Sequence, residues 1–177
     1  YPRMGLAVER LNMNEIDVLR SAISDRTRVL YFESPTNPTL EMIDIAALRV
    51  LADEVNEDRP ADRHLKILID NTFATPFCQR PLQHGADIVL HSLTKNLGGF
   101  GTELGGAVIC PRDMLARLLL YRKDFGAILN SKSAWAIMVY GLPTLPLRLK
   151  RQQYTAMKVA HWLEKNALVD QVAYPGL

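Results

Sequence analysis

Lys95 lies in "HSLTKNLGGFGTELGG" (91–106), preceded by Ser92 and Thr94 and followed by a run of glycines. A lysine amine that is partly desolvated loses its preference for the protonated form and becomes a nucleophile toward carbonyl groups. Most lysines in glycine-containing loops are instead solvated surface groups, so Lys95 alone decides nothing. Asp70, which ends the apolar run "LKILID" (65–70), is equally open. It reads either as a turn former capping nearby amides or as a buried carboxylate that needs a cationic partner. The two together say more. They close successive apolar runs and stand 25 residues apart, and in parallel α/β sheets ligands sit beyond the carboxyl ends of the strands.

An amine and an acid so placed suit an aldehyde cofactor built on a pyridine ring, pyridoxal 5′-phosphate: the amine forms the imine and the acid sits beneath the ring nitrogen. Ser92 and Thr94, alternating along the approach to Lys95, can donate to a phosphate, although either alone reads as an ordinary loop hydroxyl. A third run delivers "ESPTNP", with Glu33 and Asn37, to the same end. Glycines 98, 99, 101, 105 and 106 raise a rival idea, a nucleotide-binding α/β domain with a phosphate loop. The rival fits poorly, because "GGFGTELGG" has neither GxGxxG nor GxxxxGK[ST] spacing and precedes a strand where a fingerprint loop would open a helix. Glycines here let the chain turn sharply beside the lysine.

The elements that must position these residues follow from periodicity. "MNEIDVLRSAI" (13–23) has helical spacing behind Asn14 as N-cap, and "TRVLYFE" (27–33) is a short β-rich run. "DIAALRVLADEVNED" (44–58) predicts a second helix and "LKILID" a second strand. "GADIVLHSL" (85–93) and "GGAVIC" (105–110) predict two more strands; "RDMLARLLLYRKDFG", "KSAWAIMVYGL" and "PLRLKRQQYTAMKVAHWLEKN" predict helices. Strands apolar throughout, without period-2 alternation, predict a sheet covered on both faces. The fold class is α/β with a mostly parallel sheet. No internal repeat or low-complexity tract interrupts it.

With 177 residues and 48% hydrophobic content the chain can bury one core. Its 21 Lys+Arg against 19 Asp+Glu are scattered, which argues against a nucleic-acid partner. Two cysteines, Cys78 and Cys110, suggest neither a disulfide framework nor a metal site and fit a reducing cytoplasm. No apolar run reaches the roughly 20 residues of a membrane span, so no membrane partner is expected.

Taken together, "YFESPTNP", "IDNTFATPFCQRPLQHGADIVLHSLTK" and "YPGL" resemble the Cys/Met metabolism family of pyridoxal-phosphate enzymes, the cystathionine synthase and lyase and methionine lyase group. The likeness covers nearly the whole chain. It implies the aspartate-aminotransferase-like fold, with Lys95 as the lysine that carries the cofactor and Asp70 as the partner of its ring nitrogen. Ser92 and Thr94 resemble the phosphate-binding hydroxyls, Asn37 the amide beside the ring's phenolic oxygen, and Glu33 a polar neighbour on the substrate side. The implied activity is elimination or replacement at Cγ or Cβ of sulfur amino acids or O-acylhomoserine, in a homotetramer built from dimers.

Departures mark the chain too. The family often has an aromatic residue after the lysine and a histidine in the following glycine run, where this sequence has Asn96 and Phe100. "NEDRPADRH" is longer than the corresponding family link and reads as an inert surface insertion. Residues 1–177 are expected to form a single domain, most of the cofactor-binding large domain of a longer member, with about 166–177 leading toward a C-terminal domain. A family tyrosine that stacks on the ring and an arginine that clamps the substrate carboxylate are expected outside this span. The competing expectation is a non-catalytic fragment or remnant with a role in assembly.

Overall fold

A computed structural model describes residues 2–177. The helices are α1 (Ile16–Ala22), α2 (Ile45–Asn56), α3 (Thr75–Cys78), α4 (Arg112–Phe125), α5 (Ser131–Ala136) and α6 (Leu142–Glu164). The strands are β1 (Val29–Glu33), β2 (Lys66–Asp70), β3 (Ile88–Ser92) and β4 (Gly106–Ile109), adjacent in that order in one sheet. β1, β2 and β3 run parallel and β4 runs antiparallel to β3. The expected mostly parallel α/β sheet is thus present.

The core forms where the apolar residues of β1, β2 and β3 meet α1 and α2. Leu30, Phe32, Ile67, Ile69 and Val89 point to one face and pack with Leu19, Leu48 and Leu51. Each such side chain contributes about 1.5–3 kcal/mol when fully buried, which anchors the strand ends that carry the polar residues. The N-terminus of α2 is capped by Asp44, whose side chain accepts from the Ala47 amide. At the opposite end of the strands Asp87 is held by Arg49, Lys66 and the Ile67 amide.

Several expectations change. The sheet is not covered equally on both faces: Ile67 and Ile69 are buried, while Val29 and Tyr31 of β1 are exposed on the alternate positions. Apolar composition had concealed a period of two. Asn14 does not cap α1; its amide instead donates to Asn12, and the helix starts later, behind Glu15. "KSAWAIMVYGL" divides into α5 and a widened turn at Ile137–Gly141, and α6 begins at Leu142. "NEDRPADRH" does lie mostly at the surface, as expected, fastened there by Arg59, which donates to the carbonyls of Thr27 and Ser24.

Candidate active site at the carboxyl ends of the strands

β1, β2 and β3 end in Glu33, Asp70 and Ser92, and their register fixes how these stand. Glu33 is the pairing partner of Asp70, and Asp70 that of Leu90, two residues before Ser92. Three of the residues singled out by type therefore close adjacent parallel strands. Burial on the opposite face holds the strands; the polar residues fall on the other side or just past the end.

Asp70 is half-buried, and its Oδ1 accepts from the Thr72 amide at 2.9 Å. That turn sets Thr72 Oγ1 to accept from the Ser92 amide at 2.8 Å, linking the end of β2 to the end of β3. Asn71, fully buried, donates from its amide to Leu90 O and from Nδ2 to Gln79 O. Gln79 Nε2 in turn donates to Asn71 Oδ1 at 2.8 Å and to Ser34 O at 3.0 Å. One amide pair thus ties the β1 and β2 ends to α3. Glu33 Oε1 accepts from the Asn37 amide at 3.0 Å, which folds "SPTNP" back over the β1 end. The Asn37 side chain is exposed and makes no hydrogen bond with the expected site residues among the described residues.

Past Ser92 the chain forms a widened turn, Leu93–Leu97, in which Gly98 donates to Leu93 O at 2.8 Å and Gly99 to Lys95 O at 2.8 Å. Lys95 itself departs from helical geometry, with φ −90° and ψ −135°. It is exposed, and among the described residues its amine makes no ion pair. Thr94 Oγ1 accepts from Gly105 N at 3.1 Å and donates to Gly105 O at 3.4 Å, fastening the turn to the start of β4. Among the described residues the Ser92 hydroxyl has no such bond. The glycine run leads into β4 and opens no helix, so it offers no helix N-terminus to a nucleotide phosphate.

Electrostatics at the site centre on His91, which is 6% exposed and has an unpartnered, buried Nδ1 among the described residues. Burial pushes its imidazole below the usual histidine range, and the negative charge of Asp70 works against that shift.

The structure accordingly places Glu33, Asp70, Ser92, Thr94 and Lys95 at one end of the sheet, with Asn37 outermost. Sequence patterns did not single out Asn71, Thr72, Gln79 or Arg148, whose Nη2 donates to Asn96 O in the lysine turn. The first two were present in "DNT" directly after the acid, a signal of a hydrogen-bonded strand exit. Gln79 and Arg148 carried none, because their partners are remote in sequence. The larger cleft, about 910 Å³, opens between Phe73, Phe77, Met42 and Gln152 of α6; it touches the lysine turn only at Asn96. A second, about 360 Å³, reaches Glu33 from the side of Tyr31 and Ile43.

Comparison with known proteins gives one consistent result. The family profile described as "Cys/Met metabolism PLP-dependent enzyme" matches residues 1–177. The chain is 39% identical over 175 residues to an L-methionine gamma-lyase of Pseudomonas deceptionensis, covering 98% of this chain and 42% of that one. It is 37% identical over 178 residues to a cystathionine gamma-synthase of Mycobacterium bovis, covering 100% and 44%. The crystal structure of a cystathionine gamma-lyase from Lactobacillus plantarum complexed with L-serine superposes with a TM-score of 0.88 at 33% identity, covering 99% of this chain and 44% of that one. The chain spans less than half the length of these relatives.

Proposed function

The chain belongs to the Cys/Met metabolism PLP-dependent enzyme family, and from that premise we propose that it supplies the cofactor lysine for elimination or replacement at Cγ or Cβ of a sulfur amino acid or O-acylhomoserine. The observation that carries this reading is the placement of Lys95 on the turn that leaves β3, beside the strand that ends in Asp70. Membership makes pyridoxal 5′-phosphate the cofactor, and the donor set fits it. Ser92 has a hydroxyl, and Lys95 an amine, without a protein partner among the described residues. Among the described residues Asp70 keeps one oxygen uncommitted beyond its bond from Thr72.

When bound, pyridoxal phosphate supplies an aldehyde and an electron-withdrawing ring. Lys95 Nζ would hold the cofactor, and as a free amine it would accept the substrate's Cα proton and return a proton along the substrate chain. Asp70 would keep a proton on the ring nitrogen by its negative charge, an electrostatic role whose removal typically costs about 100-fold or more. Ser92 and Thr94 would donate their hydroxyls to the phosphate. By the family likeness Asn37 would serve the ring's phenolic oxygen and Glu33 the substrate side.

By the same family reading the protein works as a homo-oligomer, a tetramer, in the cytoplasm. The exposed apolar side chains of α4 and α5 support the first, and two free cysteines support the second. No helix among the described residues is long and apolar enough to cross a membrane. Residues 1–177 are then most of one cofactor-binding domain, with about 166–177 leading toward a second. The test is release of an α-keto acid from methionine, cystathionine or O-acylhomoserine in the presence of cofactor. Lys95→Ala is expected to abolish release by protein of the relatives' full length, and turnover retained in that variant would refute the assignment.

A further inference from the structure

Arg148, on the second turn of α6, has no carboxylate partner among the described residues. Its Nη2 donates to Asn96 O at 2.8 Å and to Gly141 O at 2.9 Å, and its Nε donates to Thr144 Oγ1 at 3.0 Å. Nη1 is buried with no partner among the described residues. The guanidinium carbon lies 5.7 Å from the Phe100 ring centroid. It also lies flat against Gly99, whose φ of +83° and missing side chain make the approach possible: a Cβ there would overlap Arg148 Cζ and come within 2.7 Å of Nη1. Leaving a buried guanidinium donor unpaired costs free energy, so the group is held where it is by what its other nitrogens do. Of these, Nη2 grips the carbonyl of Asn96, the residue that follows Lys95.

We propose that Arg148 is a positioning residue for Lys95: from α6 its guanidinium clamps the Asn96 carbonyl and packs on Gly99, fixing the turn that aims the Lys95 amine. The turn needs such a clamp. Lys95 has non-helical φ and ψ inside it, so the ordinary helical ladder does not set its direction. Leu93 and Thr94 fasten the part before Lys95 to Gly105, but the two bonds that close the turn behind Lys95, from Gly98 and Gly99, lie within it and do not tie that part to another element. Arg148 provides that tie across 52 residues of sequence. A planar fork with several donors can hold two carbonyls and a hydroxyl at once, which a lysine ammonium on a flexible stem cannot. Displacement of a reacting group by about 1 Å costs on the order of 100-fold in rate.

In naming Lys95 as the reacting amine this rests on the function proposed above, and the two can fail separately. The 177-residue chain is incubated with pyridoxal phosphate and cyanoborohydride, then digested, and the fraction modified is read at Lys95 and at the exposed lysines Lys150 and Lys158 of α6 as internal references. Wild type should modify Lys95 at least about tenfold faster than either reference; equal rates would defeat the function proposed, whatever Arg148 does. In Arg148→Met and Arg148→Lys the Lys95 excess should fall toward the references, with Lys no better than Met. Hydrogen exchange gives a reading independent of the cofactor. The amides of Gly98 and Gly99 should be protected in wild type and lose that protection in both variants, while β2 and β3 stay protected. If wild-type Gly98 and Gly99 exchange as freely as an open loop, Arg148 is no clamp, and this result requires no variant to fold. Unchanged Lys95 selectivity and unchanged exchange in folded variants would overturn the proposal equally.

Discussion

His91 shows how much a single buried group at this site can report. Burial holds its pKa below that of an unfolded histidine, about 6.5, with Asp70 opposing. The folded chain therefore refuses a proton that the unfolded chain takes up as the pH falls below about 6.5, and stability declines on acidification until the folded group itself protonates. Above that range the group contributes no slope. Urea unfolding at a series of pH values should show wild type losing more stability than His91→Gln between pH 7 and pH 5, and parallel curves would contradict the burial of a neutral imidazole. The residues expected to react were legible because strand ends concentrate chemistry: Glu33, Asp70 and Ser92 each follow an apolar run, and Lys95 follows the third. The groups that hold them were not legible. Gln79 reaches Ser34 across 45 residues and Arg148 reaches Asn96 across 52, and no local pattern encodes a contact at that distance.

At the scale of elements, the lysine turn and the start of α6 are one joint. Gly141, where the widened turn Ile137–Gly141 meets α6, is buried against the backbone of the lysine turn. A Cβ there would overlap Leu97 O and lie 2.8 Å from Gly98 O. Backbone cannot rotate aside as a side chain can, so Gly141→Ala should destabilise by at least the roughly 1–3 kcal/mol of an overpacked core. Gly106→Ala, whose new Cβ would meet nothing nearer than His91 O at 3.8 Å, is the matched control. Denaturant midpoints compare the two, and equal small shifts would show that the joint is loose. The four strands and their polar exits were readable from apolar runs, as were α2 and α4. The two widened turns were not, because an i to i+5 hydrogen bond leaves no periodic mark in the sequence. The first helix was misjudged at its start for a plainer reason: Asn12 and Asn14 are both capping residues, and only the fold shows that Asn12 accepts from the Asn14 amide.

For the molecule as a whole, the described residues build a sheet with one well-packed face and leave much apolar surface uncovered. α4 buries no side chain, and Phe125 and Trp162 stand largely in solvent. Composition predicted two covered faces, and it could not reveal which apolar side chains the 177 residues themselves cover. On the function proposed, a chain that spans less than half the length of its relatives contains the chemical centre, because the amine, the acid and the hydroxyl assigned to the phosphate all lie within Asp70–Lys95. That is the central claim, and it has a direct test. The protein is mixed with pyridoxal phosphate, reduced with borohydride and digested, and the cofactor-bearing peptide is sequenced by mass spectrometry. The account predicts a single dominant product on Lys95, absent in Lys95→Ala. Label distributed evenly over the surface lysines, or concentrated on a lysine other than Lys95, would contradict it.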